Sequence, residues 1–352
     1  MTLLIIPAAG LSTRYGLNRP KFLLQHPSGK TMLTEGLIGL NNSPIKKILV
    51  VSLSDFFEEI DFHSIEREVL DNTGIQTNFL LLEKSTTSMV DTIRLGIEYT
   101  EVDTSIVVKD VDNYIEPSNF DTFGDNFVVY ASLQKYPKII AGNKSFIEID
   151  ENGYLANIVE KRVISSDINT GLIGFKNASD FLRMSSMLLG SEEKYVSDVI
   201  RIMLQKSISF KTVEASAYID WGELDGWLSY IDDFATIFID IDGVLALNED
   251  PHGKNGNNWN RLRPIHDNVN VLLEGERLGH YNLVFTTARS ESFRANLTKQ
   301  LNEIGFRKFQ LVLGLPHTKR IVINDFAPTN PYPSAVAINL PRNANNLAQY
   351  LK

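Results

Sequence analysis

Short apolar runs of the length a buried strand needs recur along this chain, at residues 3–6, 48–53, 77–82, 105–108, 127–132, 237–239, 283–285, 311–313 and 321–323. Amphipathic stretches separate them. Strands buried on both faces by crossover helices have this pattern, which predicts an α/β fold. A chain of 352 residues is longer than one hydrophobic core usually serves, so the runs are divided between two domains. The acidic stretch Ile231-Asp232-Asp233-Phe234 separates a Trp-bearing segment, 221–230, from a new run at Thr236. It sets domains at 1–231 and 232–352, each expected to be a mainly parallel sheet flanked by helices. The stretch is too short for a free tether.

With 43% hydrophobic and 22% charged residues, both halves can build a packed core. The formal net charge of −9 argues against a nucleic-acid partner, because such binding rests on Lys and Arg neutralising backbone phosphates. Nucleotides are held locally and are not excluded. The absence of cysteine rules out thiolate nucleophiles, disulfides and Cys-ligated zinc. The opening Met1-Thr2-Leu3-Leu4-Ile5-Ile6-Pro7 has no basic region and falls far short of the ~18 apolar residues of a membrane span. No membrane partner is expected, and a cytoplasmic location is the default. A homo-oligomer is neither demanded nor excluded.

The first run leads into Pro7-Ala8-Ala9-Gly10-Leu11-Ser12-Thr13-Arg14-Tyr15-Gly16, with Pro20-Lys21 beyond it. Small residues let backbone N–H groups approach a phosphate, and Arg14 and Lys21 supply the charge a triphosphate requires. Lys109-Asp110-Val111-Asp112-Asn113 puts two carboxylates two apart at a strand end, where they can converge on a hard cation. The string from Ala8 to Lys21 resembles the signature of the sugar nucleotidyltransferases, with Ser12 where many members have a second glycine.

That resemblance implies a Rossmann-like fold over about the first 230 residues and roles for particular side chains. Ala8, Ala9 and Gly10 would form the loop that holds a nucleoside triphosphate, Arg14 would steady its phosphates, and Lys21 would contact both substrates. Asp112, or Asp110, would be the first Mg²⁺ ligand, and Asp220 in Ala217-Tyr218-Ile219-Asp220-Trp221-Gly222 the second. Glu160, Lys161, Asn169, Thr170 and Gly171 resemble the acceptor-binding region, Lys161 meeting the acceptor's phosphate. Thr87 and Ser88 occupy the place where the nucleobase is read. The reaction implied joins a sugar or polyol phosphate to a nucleoside triphosphate with loss of pyrophosphate, and CTP is the preferred donor.

Further along, Thr236-Ile237-Phe238-Ile239-Asp240-Ile241-Asp242-Gly243 is a strand expected to be buried and to end in Asp-x-Asp-Gly. It closely resembles the first motif of the haloacid-dehalogenase superfamily. Its later motifs are matched by Leu283-Val284-Phe285-Thr286-Thr287-Ala288-Arg289, by Lys319 in His317-Thr318-Lys319-Arg320, and by Ile321-Val322-Ile323-Asn324-Asp325-Phe326. By that resemblance Asp240 is the nucleophile, Asp242 the acid–base, Thr287, or alternatively Thr286, and Lys319 hold the phosphoryl group, and Asp240, Asp242 and Asp325 bind Mg²⁺. Phe326 stands where a second acid is common in that last motif. Only about forty residues separate the first two motifs, too few for a large cap, so a Rossmannoid phosphatase without one is expected. Together the two resemblances imply a bifunctional enzyme making a precursor for a surface polysaccharide such as capsule. The rival is a chain with one catalytic domain and one regulatory or nucleotide-sensing module.

Overall fold

Successive side chains of the first strand, β1 (Thr2–Ala8), leave on opposite faces, and both faces are apolar. Leu4, Ile6 and Ala8 enter one core cluster, Leu3 and Ile5 another. The computed structural model describes residues 2–10, 20–57, 60–101, 103–137, 139–188, 194–248, 261–324 and 335–351. The chain divides into two compact units, Met1–Leu228 and Ser229–Lys352.

The first unit continues through α1 (Met32–Ile38), β2 (Ile45–Leu53), α2 (Phe62–Thr73), β3 (Gln76–Leu82), α3 (Met89–Thr100), β4 (Ile106–Lys109), β5 (Asn113–Pro117) and β6 (Phe127–Ser132). There follow β7 (Ser145–Ile149), β8 (Leu155–Glu160), β9 (Asp167–Phe175), α4 (Ala178–Ser185), α5 (Val196–Gln205) and β10 (Lys211–Asp220), and the division falls inside α6 (Leu224–Ile231). The sheet runs β3-β2-β1-β4-β9-β6-β10-β5, with the β7–β8 hairpin joined to β9. Leu33 and Leu37 of α1, with Ile65 and Val69 of α2, fill the first cluster. Val90, Ile93 and Ile97 of α3, Phe181 of α4 and Val199 of α5 fill the second, so each face of the sheet has its own layer.

Strands β3, β2, β1 and β4 are parallel, and their carboxyl ends share one edge. Ligands of open α/β sheets bind outside that edge. At the other end of the sheet, β10 pairs antiparallel with β5, and Asp220 stands opposite Asn113. This pairing brings the end of β10 to the turn that follows β4.

In the second unit β11 (Ala235–Asp240), α7 (His266–Leu278), β12 (Tyr281–Thr286), α8 (Arg294–Ile304) and β13 (Phe309–Val312) form a parallel sheet in the order β11-β12-β13 over one core. Two expectations are corrected here. Strand β11 buries one face, not two: Ile239 is in the core, whereas Phe238 is 65% exposed. Residues 321–323 form no strand; Ile321, Val322 and Ile323 are 72%, 69% and 92% exposed. An apolar run becomes a strand only where another strand satisfies its backbone groups, and this segment pairs with none among the described residues. No helix of the described residues is long and apolar enough to cross a membrane.

Candidate active site

The turn between β4 and β5 carries both expected acids, and a buried lysine braces it from beneath. Lys109 Nζ donates to the carbonyls of Asp110 (2.8 Å) and Asn113 (2.8 Å) and to Asn113 Oδ1 (2.7 Å). Helix α1 allows this by lying close: a Cβ on Gly36 would stand 2.7 Å from the Asn113 carbonyl oxygen and 3.4 Å from Lys109 Nζ. Burial lowers Lys109 to about 8, against the pull of Asp110 and Asp112. Asp110 packs beneath Gly171, whose φ of +85° and missing Cβ leave room for its carboxylate. Burial, and then the Asp112 charge, push Asp110 up to about 7.

Asp112 and Asp220 meet above this floor. The Trp221 N–H donates to the Asp112 carbonyl at 2.9 Å, continuing the β10–β5 pairing past Asp220. A Cβ on Gly222 would lie 3.1 Å from Asp220 Oδ1 and 3.4 Å from Asp112 Oδ2, so the glycine leaves a cradle between two carboxylates. Lys21 Nζ donates to Asp112 Oδ2, and Lys144 Nζ to Asp220 Oδ1 at 2.7 Å. Burial works against ionisation of Asp112, yet Lys21 and Lys144 outweigh it and hold Asp112 at about 2. Two carboxylates sharing a cradle are the hard oxygen donors that Mg²⁺ takes, commonly one or two at a time with substrate phosphates completing the shell. The residues fit that ion as a pair; no group of three or more His, Asp or Glu placed to hold a metal occurs among the described residues.

Other expected residues are distributed as follows. Ala8 ends β1 and is buried with Ala9, while Gly10 faces open space. Arg14 lies outside the described residues. Glu160 Oε2 accepts from Ser145 (2.5 Å) and Ser197 (3.0 Å), and Lys161 Nζ donates to Tyr195 Oη at 2.9 Å and lies 4.8 Å from the centre of its ring. Asn169 Oδ1 accepts the Gly171 N–H at 3.1 Å, and the buried Thr170 hydroxyl donates to the Val129 carbonyl. Thr87 and Ser88 donate to Asp91 Oδ2, and Ser88 also caps α3 by accepting the Asp91 N–H at 3.1 Å.

No protein-family model matches the chain, and no curated protein does so either. Solved structures do. A nucleoside-diphosphate-sugar pyrophosphorylase from Vibrio cholerae RC9 superposes with a TM-score of 0.53 at 20% identity over 65% of this chain and 99% of its own. The inositol-1-phosphate CTP transferase from T. maritima gives 0.52 at 15% identity over 64% and 91%, and a UTP-bound UGPase from Acinetobacter baumannii gives 0.50 at 13% over 65% and 91%. A share of that size exceeds the whole second unit and must take in the large sheet. The chain therefore contains the sugar nucleotidyltransferase fold.

Within that nucleotidyltransferase fold, Lys144, Lys109 and Tyr195 carry contacts that no motif assigned to them. Lys109 was visible inside the acidic string, but its ammonium turns inward. Lys144 precedes β7 without any motif around it, and only the tertiary structure places it beside Asp220. His26 was also unassigned. It is 3% exposed, its ring centre lies 5.2 Å from that of Trp221 and 6.0 Å from that of Trp227, and it ties the segment after Lys21 to the segment after Asp220.

In the second unit, Asp240 ends β11 opposite Thr286 on β12, and Asp242 follows in a tight turn where Gly243 has φ +103° and donates to the Ala246 carbonyl at 2.7 Å. Thr287 Oγ1 donates to Asp242 Oδ2 at 3.1 Å and accepts the Arg289 N–H. The buried Arg289 spans both oxygens of Asp242, with Nη2 2.5 Å from Oδ1 and Nε 3.2 Å from Oδ2. The motif string contained Arg289, but gave it no role. Burial and the Asp242 charge raise Asp240, which Arg320, Arg342 and His317 oppose. Lys319 is exposed, and Asp325 lies outside the described residues. Structure thus unites Asp240, Asp242 and Thr287, while Arg289 engages both Asp242 oxygens.

Proposed function

We propose that the first unit transfers a nucleotidyl group from a nucleoside triphosphate to a sugar or polyol phosphate and releases pyrophosphate. The observation that carries this reading is the convergence of Asp112 and Asp220 on the Gly222 cradle, with Lys21 and Lys144 on their carboxylates, in a unit with the nucleotidyltransferase fold. Asp112 and Asp220 would hold Mg²⁺, which supplies charge neutralisation to the triphosphate when bound. An oxygen of the acceptor phosphate attacks the α-phosphorus, a new P–O bond forms, and the bond to the β-phosphate oxygen breaks. The attacking oxygen is already ionised at neutral pH, so the protein's task is to orient and to neutralise. Lys21 serves the phosphates, Lys161 the acceptor's phosphate, and Glu160 and Asn169 its hydroxyls. CTP is the donor proposed, the base named for the T. maritima structure.

The second unit is proposed to hydrolyse a phosphomonoester of the same route, which would feed a surface polysaccharide. What supports it is Asp240 at a strand end, with Asp242 held by Thr287 just past the end of the adjacent strand. Asp240 would take the phosphoryl group, Asp242 would protonate the leaving alcohol and then activate water, and that water would release phosphate. The test of both readings is incubation with Mg²⁺, each nucleoside triphosphate and a panel of sugar and polyol phosphates, with pyrophosphate and free phosphate followed separately. Pyrophosphate with one base and one acceptor is expected, along with free phosphate from a related ester. No pyrophosphate with any combination would sink the transferase reading.

A further inference from the structure

Two ammonium groups neutralise the acidic pair beside Gly222. Lys21 Nζ is on Asp112 Oδ2, and Lys144 Nζ is 2.7 Å from Asp220 Oδ1. The point that a Cβ on Gly222 would occupy lies 3.1 Å from Asp220 Oδ1, 3.4 Å from Asp112 Oδ2 and 3.8 Å from Lys144 Nζ. This is no loose surface pair: the side chains of Lys144 and Asp220 are only 18% and 8% exposed. The Lys144 backbone is anchored as well, its carbonyl accepting the Lys161 N–H at 2.9 Å.

The charges of Lys21 and Lys144 balance those of Asp112 and Asp220. A bare divalent ion entering that shielded cradle would leave two positive charges uncompensated, at a cost that low local dielectric magnifies. A polyphosphate entering with it reverses the sign. We propose that Lys144 is a placeholder counter-ion that keeps a bare divalent cation off the Asp112–Asp220 pair and admits it only together with a polyphosphate. The inference rests on the transferase reading for the identity of that polyphosphate, and on geometry alone for the exclusion of bare metal. Lys144 is a positioning residue here, acting through Asp220.

The test uses the full chain carrying Asp240→Asn and Asp242→Asn, which removes the acidic pair of the second unit, with Mn²⁺ binding followed by electron paramagnetic resonance. Lys144→Met is expected to bind Mn²⁺ alone at least about tenfold more tightly than the Lys144 chain, the effect of freeing one charge-assisted bond. Lys144→Arg is expected to restore weak binding, and Asp220→Asn added to Lys144→Met to erase the gain. Circular dichroism checks folding, and Lys144→Gln replaces Lys144→Met if the latter does not fold. Unchanged or weaker Mn²⁺ affinity in a folded Lys144→Met or Lys144→Gln chain would overturn the proposal, even if the parent released pyrophosphate. A gain in Mn²⁺ affinity from a parent that releases no pyrophosphate would uphold Lys144's role and defeat only the transferase reading.

Discussion

Gly171 and Asp110 share a space that only one side chain can fill. A Cβ at residue 171 would stand 2.1 Å from Asp110 Oδ2, on a backbone with φ +85°. Gly171→Ala is expected to cost about 1–3 kcal/mol in urea unfolding and to lower pyrophosphate release at least tenfold, because Asp110 must shift and the acidic turn moves with it. His26 gives a pH dependence of definite sign. Burial lowers it from 6.5 to about 4, with Glu35 opposing and Lys30 assisting, and the Ser28 N–H donates to its Nδ1 at 3.1 Å, a bond the charged ring cannot accept. Between those two values the unfolded chain binds the extra proton and the folded chain does not, so stability falls as pH drops through that window. His26→Gln removes this component. Trp fluorescence, which senses the neighbouring Trp221 and Trp227, should show a smaller loss of urea midpoint from about pH 7 to about pH 4.5 in the variant than in the parent.

Helix α3 begins at a cap that also occupies the expected base-reading segment. Ser88 Oγ accepts the Asp91 N–H at 3.1 Å, and Lys194 holds Asp91 at 3.0 Å. Ser88→Ala should therefore cost about 1 kcal/mol of stability, read as a lower urea midpoint. If Ser88 also contacts a nucleobase, the ratio of pyrophosphate release with CTP to that with UTP will change as well; a cap alone leaves that ratio fixed. The spacing Ser88-x-x-Asp91 contains the cap signal, but a hydroxyl at a helix start can serve either purpose and sequence does not say which. Strands β1, β2, β4 and β6 were legible because burial on both faces leaves a continuous apolar run, and β3 because its second half, Phe79 to Leu82, is apolar although only Thr77 of the strand is fully buried. Strands such as β10, with Glu214 exposed between buried Val213 and Ala215, were not, since their alternation is weak and short. Residues 321–323 show the opposite failure: composition promised a strand, but pairing is a non-local property. The site was legible to the same degree. Asp112 and Asp220 end or follow strands within recognisable strings, whereas Lys144 joins them only through the fold, 76 residues before Asp220.

At the scale of the whole molecule, two acidic centres lie in two compact units, one on each side of the division at Leu228. Each centre has its own counter-ions: Lys21 and Lys144 in the first, Arg289 in the second. Each centre is assembled from side chains of its own unit, so each is expected to fail alone. Asp240→Asn removes the proposed nucleophile and should lower free-phosphate release by at least about a thousandfold while pyrophosphate release stays within twofold of the parent. Lys21→Ala leaves Asp112 without its nearest cation and the triphosphate without one donor, and should lower pyrophosphate release by at least about a hundredfold while free-phosphate release holds. The two assays run on the same preparations, so loss of folding would appear as loss of both. If a folded Asp240→Asn chain also lost pyrophosphate release, the centres would have to work as one: the second unit would then support transfer by the first, and the phosphatase reading would give way to a regulatory one.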